Sequence, residues 1–326
     1  MIYISGKKGA LYEKVQGFRN RAEQLPNQLD TAFAIASGTK LFTAVAICSL
    51  IDQGKLALES KVWEVLPYDL KNISKEVTIF HLLTHTSGIK DYLNEGPWDW
   101  ENSYGIFDPY PAHQWTSTDF YLPLIKELAS NFEPGAKQSY SNSGFILLGL
   151  VIEALSGKSY HDYIKDHVIK PLKMKHTGFY ATNNLPMNTA IGYIYDEKQK
   201  EFIANYFHVP IIGSPDGGLF TTGADMALFW KGVFSLQFFS KNMLDQFVTI
   251  HSNGDYGDWS WDYGLGVEIK EINGKKSYCH SGSDAGVTFY SIYFPEIETA
   301  ITFLLNRSLD IYSGDFINKL TKLLND

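Results

Sequence analysis

Residues 33–45 read F-A-I-A-S-G-T-K-L-F-T-A-V. A serine, Ser37, stands at the head of an apolar helix, and a lysine, Lys40, follows three residues later. That spacing is close to one helical turn and puts both side chains on one face. A lysine charge beside Ala36, Leu41 and Val45 must either reach solvent or take part in chemistry. Leu41, Ala44, Val45, Cys48 and Ile51 fall on one face of a helix over 38–53, and Gly54 supplies its stop.

Working outward, residues 2–20 suit a hairpin that turns at Gly6–Gly9. The middle reads as mostly helical. Thr78 is an N-cap candidate, 117–130 and 142–156 read as helices, Gly157 stops the second, and a shorter helix spans 160–170. The stretches YGLGVEIKEI, KKSYCHSG, GVTFYSIYFP and TAITFLLNR then read as successive strands, followed by an amphipathic helix at 311–325. Sheet-forming segments at both ends with helices between them predict an α/β fold. Its α/β region is expected over 1–62 and 212–326, with a helical region inserted at 63–211 and the active site in the cleft between them. The aromatic-rich stretch 91–116, with Trp98 and Trp100, reads either as a wall of a substrate cleft or as a cap over the core.

The chain of 326 residues is 44% apolar and 20% charged, an ordinary globular composition. A net charge of −8 argues against nucleic acid as a partner. No apolar run reaches the ~18–20 residues that cross a bilayer. The opening MIYISGKKGALYEKV lacks the apolar core of a signal peptide, so as written the chain reads as cytoplasmic, or as exported if a leader has been removed. Cys48 and Cys279 have no partners at metal-ligand spacing and read as a core residue and a strand residue.

A serine hydroxyl attacks only when a neighbour takes its proton. A lysine can do so when neutral, which requires its pKa to fall from ~10.4 to ~7, a difference of ~4 kcal/mol. By itself S-x-x-K also fits a capping serine followed by a surface lysine. Two further clusters bear on the choice. Tyr140–Ser141–Asn142 falls at a loop-to-helix junction, where a phenol can carry a proton and an amide can hold a substrate carbonyl and N–H. His280–Ser281–Gly282 falls on a strand, and a glycine there marks the close approach of another backbone, an extended substrate being one candidate.

S-x-x-K, Y-x-N and an H-S-G triplet, in that order, resemble the motifs of the penicillin-recognising serine hydrolases. The Y-x-N form resembles the branch holding class C β-lactamases, D-alanyl-D-alanine carboxypeptidases and serine esterases. TIFHLLTHTSGI, YSNSGFILLGLVIEALSGKSYHDYI, GGLFTTGADMALF and YGLGVEI extend the likeness over roughly 10–306. The resemblance implies a β-lactamase/transpeptidase-like fold, an antiparallel sheet flanked by helices and built from both termini. It implies that Ser37 is acylated, that Lys40 helps deprotonate it and tunes Tyr140, and that Tyr140 moves the proton to the leaving group. It further implies that Asn142 holds the substrate amide, that His280, Ser281 and Gly282 line the substrate's carboxylate side, and that the backbone N–H groups of Ser37 and Ser283 form the oxyanion hole. No cofactor or metal is implied, and the partner is a small-molecule or peptide-like substrate.

His280 stands where many relatives have lysine. Histidine is mostly neutral at pH 7, so tight recognition of a carboxylated β-lactam is not expected. Turnover of carboxylate-bearing substrates is expected to fall as pH rises through the histidine pKa. His81 and His85 make H-x-x-x-H, but Leu82 stands where a zinc protease needs glutamate, so they read as packing and hydrogen-bonding residues. His161 and His167 read as lying on a solvated helix, and Asp216–Gly217–Gly218 as a turn beside the cleft. Two function classes follow: a serine acyl-hydrolase acting on an ester or amide, or a non-catalytic relative that binds peptide-like ligands or builds a scaffold.

Overall fold

The computed structural model describes residues 1–93, 111–255 and 260–309. The helix expected at 311–325 and the tryptophans Trp98 and Trp100 lie outside the described residues. Eight of the described strands form one antiparallel sheet. Their spatial order is Gly9–Lys14, Ile2–Gly6, Thr299–Leu305, Val287–Phe294, Lys275–Asp284, Glu268–Ile272, Ser260–Tyr263 and Ser252–Asp255. The sheet is therefore built from both ends of the chain, as the strand pattern predicted. The first hairpin seats Ile4 opposite Ile301, where both join Cys279, Ile292 and Phe294 in a small core on one face.

The other face carries the main core. The helix Gly223–Phe234 packs on it, and Trp230 Nε1 donates to Ser291 Oγ at 2.8 Å. The helix Lys40–Asp52 is buried on nearly every side, including Thr43, Ala46 and Ile47, rather than on the single face that the sequence suggested. A helix apolar all round belongs inside a core. This one packs against the helix Asn142–Ser156, whose own apolar face spans Phe145 to Ile152.

Local chemistry explains the element ends. Thr78 caps the helix Ile79–Leu83 in a reciprocal capping box with His81. Ser141 caps Asn142–Ser156, and Gly157 closes it at φ 67°. The expected helix over 117–130 is shorter: a 3₁₀ turn at Thr118–Tyr121 runs into Leu122–Lys126. The helix expected over 160–170 is α-helical at Tyr160–Ile164 and widens into a π turn over Lys165–Ile169. Among the described residues no helix is long and apolar enough to cross a membrane.

Candidate active site

Ser37 lies in a 3₁₀ turn, Ala36–Thr39, which leads into the Lys40–Asp52 helix. The preceding strand Phe33–Ala34 pairs with Phe220–Thr221, and Ile35 N–H donates to the Leu219 carbonyl at 2.9 Å. Ala36 sits at φ 44°, a left-handed conformation costing a non-glycine residue about 1–2 kcal/mol. Its carbonyl accepts from Thr39 Oγ1 at 2.8 Å and from Gly218 N–H at 3.3 Å, which holds it there. Both variable positions of S-x-x-K thus have physical causes. Thr39 ties the turn to Leu219, whose N–H it accepts at 3.0 Å. A Cβ on Gly38 would lie 2.3 Å from the Phe289 ring.

Lys40 is fully buried. Its Nζ lies 2.6 Å from Asn142 Oδ1, 2.6 Å from the Asp216 carbonyl and 3.0 Å from Ser37 Oγ. The first two oxygens only accept, so two N–H bonds point at them. The third tetrahedral position faces Ser37, where an ammonium donates and a neutral amine offers its lone pair. Tyr140 reaches Ser37 from the other side: its hydroxyl donates to Ser37 Oγ at 2.7 Å. Lys40 Nζ also stands 4.9 Å from the Tyr140 ring centre. Three side chains far apart in sequence therefore converge on one oxygen.

Supporting groups complete the cluster. Asn142, 1% exposed, bridges Lys40 and Asp91, whose Oδ2 accepts from the Asn142 backbone N–H at 3.2 Å and from Nδ2 at 2.9 Å. This fixes which end of the amide faces the lysine, a structural role beside the substrate-holding one expected from sequence. Asp216 lies in the turn Ser214–Gly217. Its carboxylate accepts from the hydroxyls of Ser214 and of Tyr92, the latter at 2.6 Å. Burial, with Asp216 next, holds the Tyr92 phenol well above its ordinary range, so it remains a donor. The Asp-Gly-Gly turn expected beside the cleft thus aims the Asp216 carbonyl at Lys40.

The H-S-G triplet is tied into the protein itself. His280 is 1% exposed, and its Nδ1–H donates to the Ser281 carbonyl at 2.6 Å. Its Nε2 pairs with the Tyr263 hydroxyl at 3.2 Å. Both ring nitrogens are engaged as in a neutral imidazole. Burial lowers the His280 pKa to about 4; nearby Glu268 opposes the shift and Lys40 adds to it. The ring is therefore no cation for a substrate carboxylate at neutral pH. The Ser281 hydroxyl donates to Glu268 Oε1 at 3.0 Å, so it too is engaged with the protein. Burial pushes the Glu268 carboxyl up, but Lys270, His280 and the Ser281 hydrogen bonds outweigh it and the net shift is downward.

Gly282 does mark a close approach, but the backbone it meets is that of the Ser37 turn. A Cβ there would lie 2.1 Å from the Ile35 carbonyl oxygen and 3.1 Å from Gly38 N. The Ser281 N–H bonds Glu268 Oε1 at 3.0 Å, on the side where Glu268–Ile272 runs. N–H directions repeat every two residues along a strand, so the Ser283 N–H points the same way. The ladder to Glu268–Ile272 ends at Glu268 opposite Cys279, which leaves Ser283 on the edge beyond it.

Two groups that the sequence reading passed over hold this site, Asp91 and Glu268. Asp216 was read only as a turn residue and His85 only as a packing and hydrogen-bonding residue, and both also meet the site. His161, expected on a solvated helix, is instead partly buried, with its Nε2–H on the Gly213 carbonyl at 2.7 Å; His167 is exposed and stacks on Tyr163. Among the described residues no group of three histidine, cysteine or acidic side chains could hold a metal ion.

The sequence profile of the beta-lactamase family matches residues 2–324. The chain belongs to the beta-lactamase family. It is similar to penicillin-binding protein 4* of Bacillus subtilis (strain 168), with 30% identity over 317 residues, covering 92% of this chain and 66% of that protein. It is also similar to esterase EstB of Burkholderia gladioli, 31% identical over 211 residues, 64% of this chain and 52% of EstB. The chain thus spans between about half and two thirds of these two relatives' lengths. A solved penicillin-binding protein from Bacillus halodurans superposes with a TM-score of 0.87 at 33% identity, covering 99% of this chain and 94% of that one. This beta-lactamase family member has the β-lactamase/transpeptidase-like fold, in a family whose members are serine hydrolases.

Proposed function

We propose that this protein cleaves an amide or ester through an acyl-enzyme on Ser37. The observation that carries the reading is the double approach to Ser37 Oγ, by Tyr140 Oη at 2.7 Å and Lys40 Nζ at 3.0 Å. The substrate carbonyl sits with its oxygen toward the N–H groups of Ser37 and Ser283, where negative charge develops. Ser37 gives its proton to the Lys40–Tyr140 pair as Oγ attacks the carbonyl carbon. The tetrahedral intermediate collapses, the C–N or C–O bond breaks, and Tyr140 returns the proton to the leaving group. Water then attacks the acyl-enzyme, loses a proton to the same pair, and releases the acid and free Ser37. Asn142 and Asp216 keep Lys40 on station, and the described residues of 1–62 and 212–309 form one wall of the cleft and those of 63–211 the other.

The H-S-G geometry narrows the substrate class. With His280 neutral and both its nitrogens occupied, substrates that depend on a gripped carboxylate are disfavoured relative to neutral esters and amides. The test is a panel of p-nitrophenyl esters, nitrocefin and D-alanyl peptides, with a fluorophosphonate mass adduct mapped to Ser37. Neutral esters are expected to turn over fastest. A folded protein that forms no adduct on Ser37 removes the acyl-enzyme reading and leaves a peptide-binding or scaffold relative.

A further inference from the structure

Two non-glycine residues with left-handed backbones stand at this site: Ala36, directly before Ser37, and His85 at φ 57°. Such conformations persist only where the surroundings over-determine them. Three of the contacts of His85 bracket Tyr140. The His85 carbonyl accepts from Ser139 N–H at 2.8 Å. Its ring Nδ1 accepts from Ser141 N–H at 3.2 Å. Its ring lies against the Tyr140 ring, centres 4.6 Å apart and planes inclined at 38°. One residue thus holds the backbone N–H groups of both neighbours of Tyr140 and one face of its ring.

We propose that His85 is a positioning residue for Tyr140, fixing where the phenol oxygen meets Ser37. The proposal rests on the reading of Tyr140 as the proton carrier. The chemistry explains why a histidine suits the position. Ser141 is itself the N-cap of Asn142–Ser156, so its N–H needs an acceptor from outside the helix. The acceptor must be a flat ring to pack between Tyr140, Phe145 and Tyr263, whose centres lie 4.6, 5.2 and 4.8 Å away. Neutral imidazole supplies both. Because Nδ1 accepts, the proton sits on Nε2, which is buried and has no hydrogen-bond acceptor among the described residues. His85 is 1% exposed, and burial, with Lys40 and His280 next, keeps it neutral. The left-handed backbone turns the His85 carbonyl to Ser139 while the ring reaches Ser141.

The test compares His85→Gly, which accepts φ 57° but has no acceptor or ring, with His85→Asn, which tolerates that φ and keeps an acceptor. Phosphonylation of Ser37 by a fluorophosphonate, in which the serine oxygen attacks phosphorus and fluoride leaves, is followed by mass in single turnover, each variant also made with Tyr140→Phe, and folding checked by circular dichroism. His85→Gly is expected to slow this step about 10²-fold, the cost of misplacing a reacting group by about an ångström, and His85→Asn to regain at least about tenfold of it. With Tyr140→Phe present, His85→Gly is expected to add less than about threefold, since the two residues act as one unit. Equal slowing in both backgrounds, or no recovery in His85→Asn, overturns the proposal. If Tyr140→Phe alone is harmless, the proton-carrier reading falls; if it is slow and His85→Gly is harmless, only the role of His85 falls. Nitrogen-15 shifts of His85 in the wild type give an independent check that needs no variant. The Nε2–H tautomer is expected, and the Nδ1–H tautomer, which cannot accept from Ser141, overturns the proposal.

Discussion

The Ser37–Lys40 turn and the His280–Gly282 strand touch where Gly282 meets the Ile35 carbonyl, yet they use their polar side chains differently. In the turn, Ser37 and Lys40 face a shared space and meet Tyr140 there. In the strand, His280 and Ser281 spend their polar atoms on Tyr263, a backbone carbonyl and Glu268. The strand's contributions are a glycine that lets two backbones come together and an edge that carries the Ser283 N–H. In one motif chemistry is done by side chains; in the other side chains hold a backbone in place.

The sharpest way to break this contrast is Lys40→Ala. It is expected to lower acylation by about 10³-fold or more, within the range seen when one member of a catalytic group is removed, measured by stopped-flow ester hydrolysis. A loss below tenfold would demote the turn's side chains. Gly282→Ala comes next. Its methyl would lie 2.1 Å from Ile35 O, against backbone that cannot yield cheaply. The expected result is a fall in kcat of about 10²-fold with KM little changed, because the oxyanion donors separate. Unchanged kcat would show that the close approach is incidental.

His280 gives a smaller effect with a defined sign. With its pKa near 4, it is neutral at pH 6–9, so kcat/KM for a carboxylated substrate relative to its neutral ester should stay flat there. A fall through pH 6–7 would restore His280 as a carboxylate-binding cation. The same shift acts on stability. The folded pKa lies below the unfolded value of about 6.5, so the unfolded chain binds the proton first as pH drops. Wild type is expected to lose stability relative to His280→Gln from about pH 6.5 towards pH 4, read by urea melts at each pH. Ser281→Ala should have the smallest effect on turnover: about 1.5–3 kcal/mol of stability for one hydrogen bond to the buried Glu268 carboxylate, and less than threefold in kcat/KM.

The strands, the Thr78 cap and the Gly157 stop were legible because each depends on neighbours within a few residues. Ser37, Lys40 and Tyr140 were legible as a resemblance of ordered motifs. Asp91 and His85 were not. Their partners lie about 50 residues away along the chain, at Ser139, Ser141 and Asn142, and no local spacing records such a pairing. The Lys40–Asp52 helix was read as one-sided because the sequence shows an apolar pattern but not how many neighbours will surround it.

By itself, the order of residues determined the sheet from both ends, the helices between and the candidate nucleophile with its lysine. Periodicity, capping and spacing act over a turn or two, and a chain carries them wherever it goes. Only the tertiary structure decided that His280 is buried, that Ser281 turns to Glu268, and that the His85 ring lies against Tyr140. A side chain's charge and direction depend on which atoms fold up around it, and those come from distant parts of the chain.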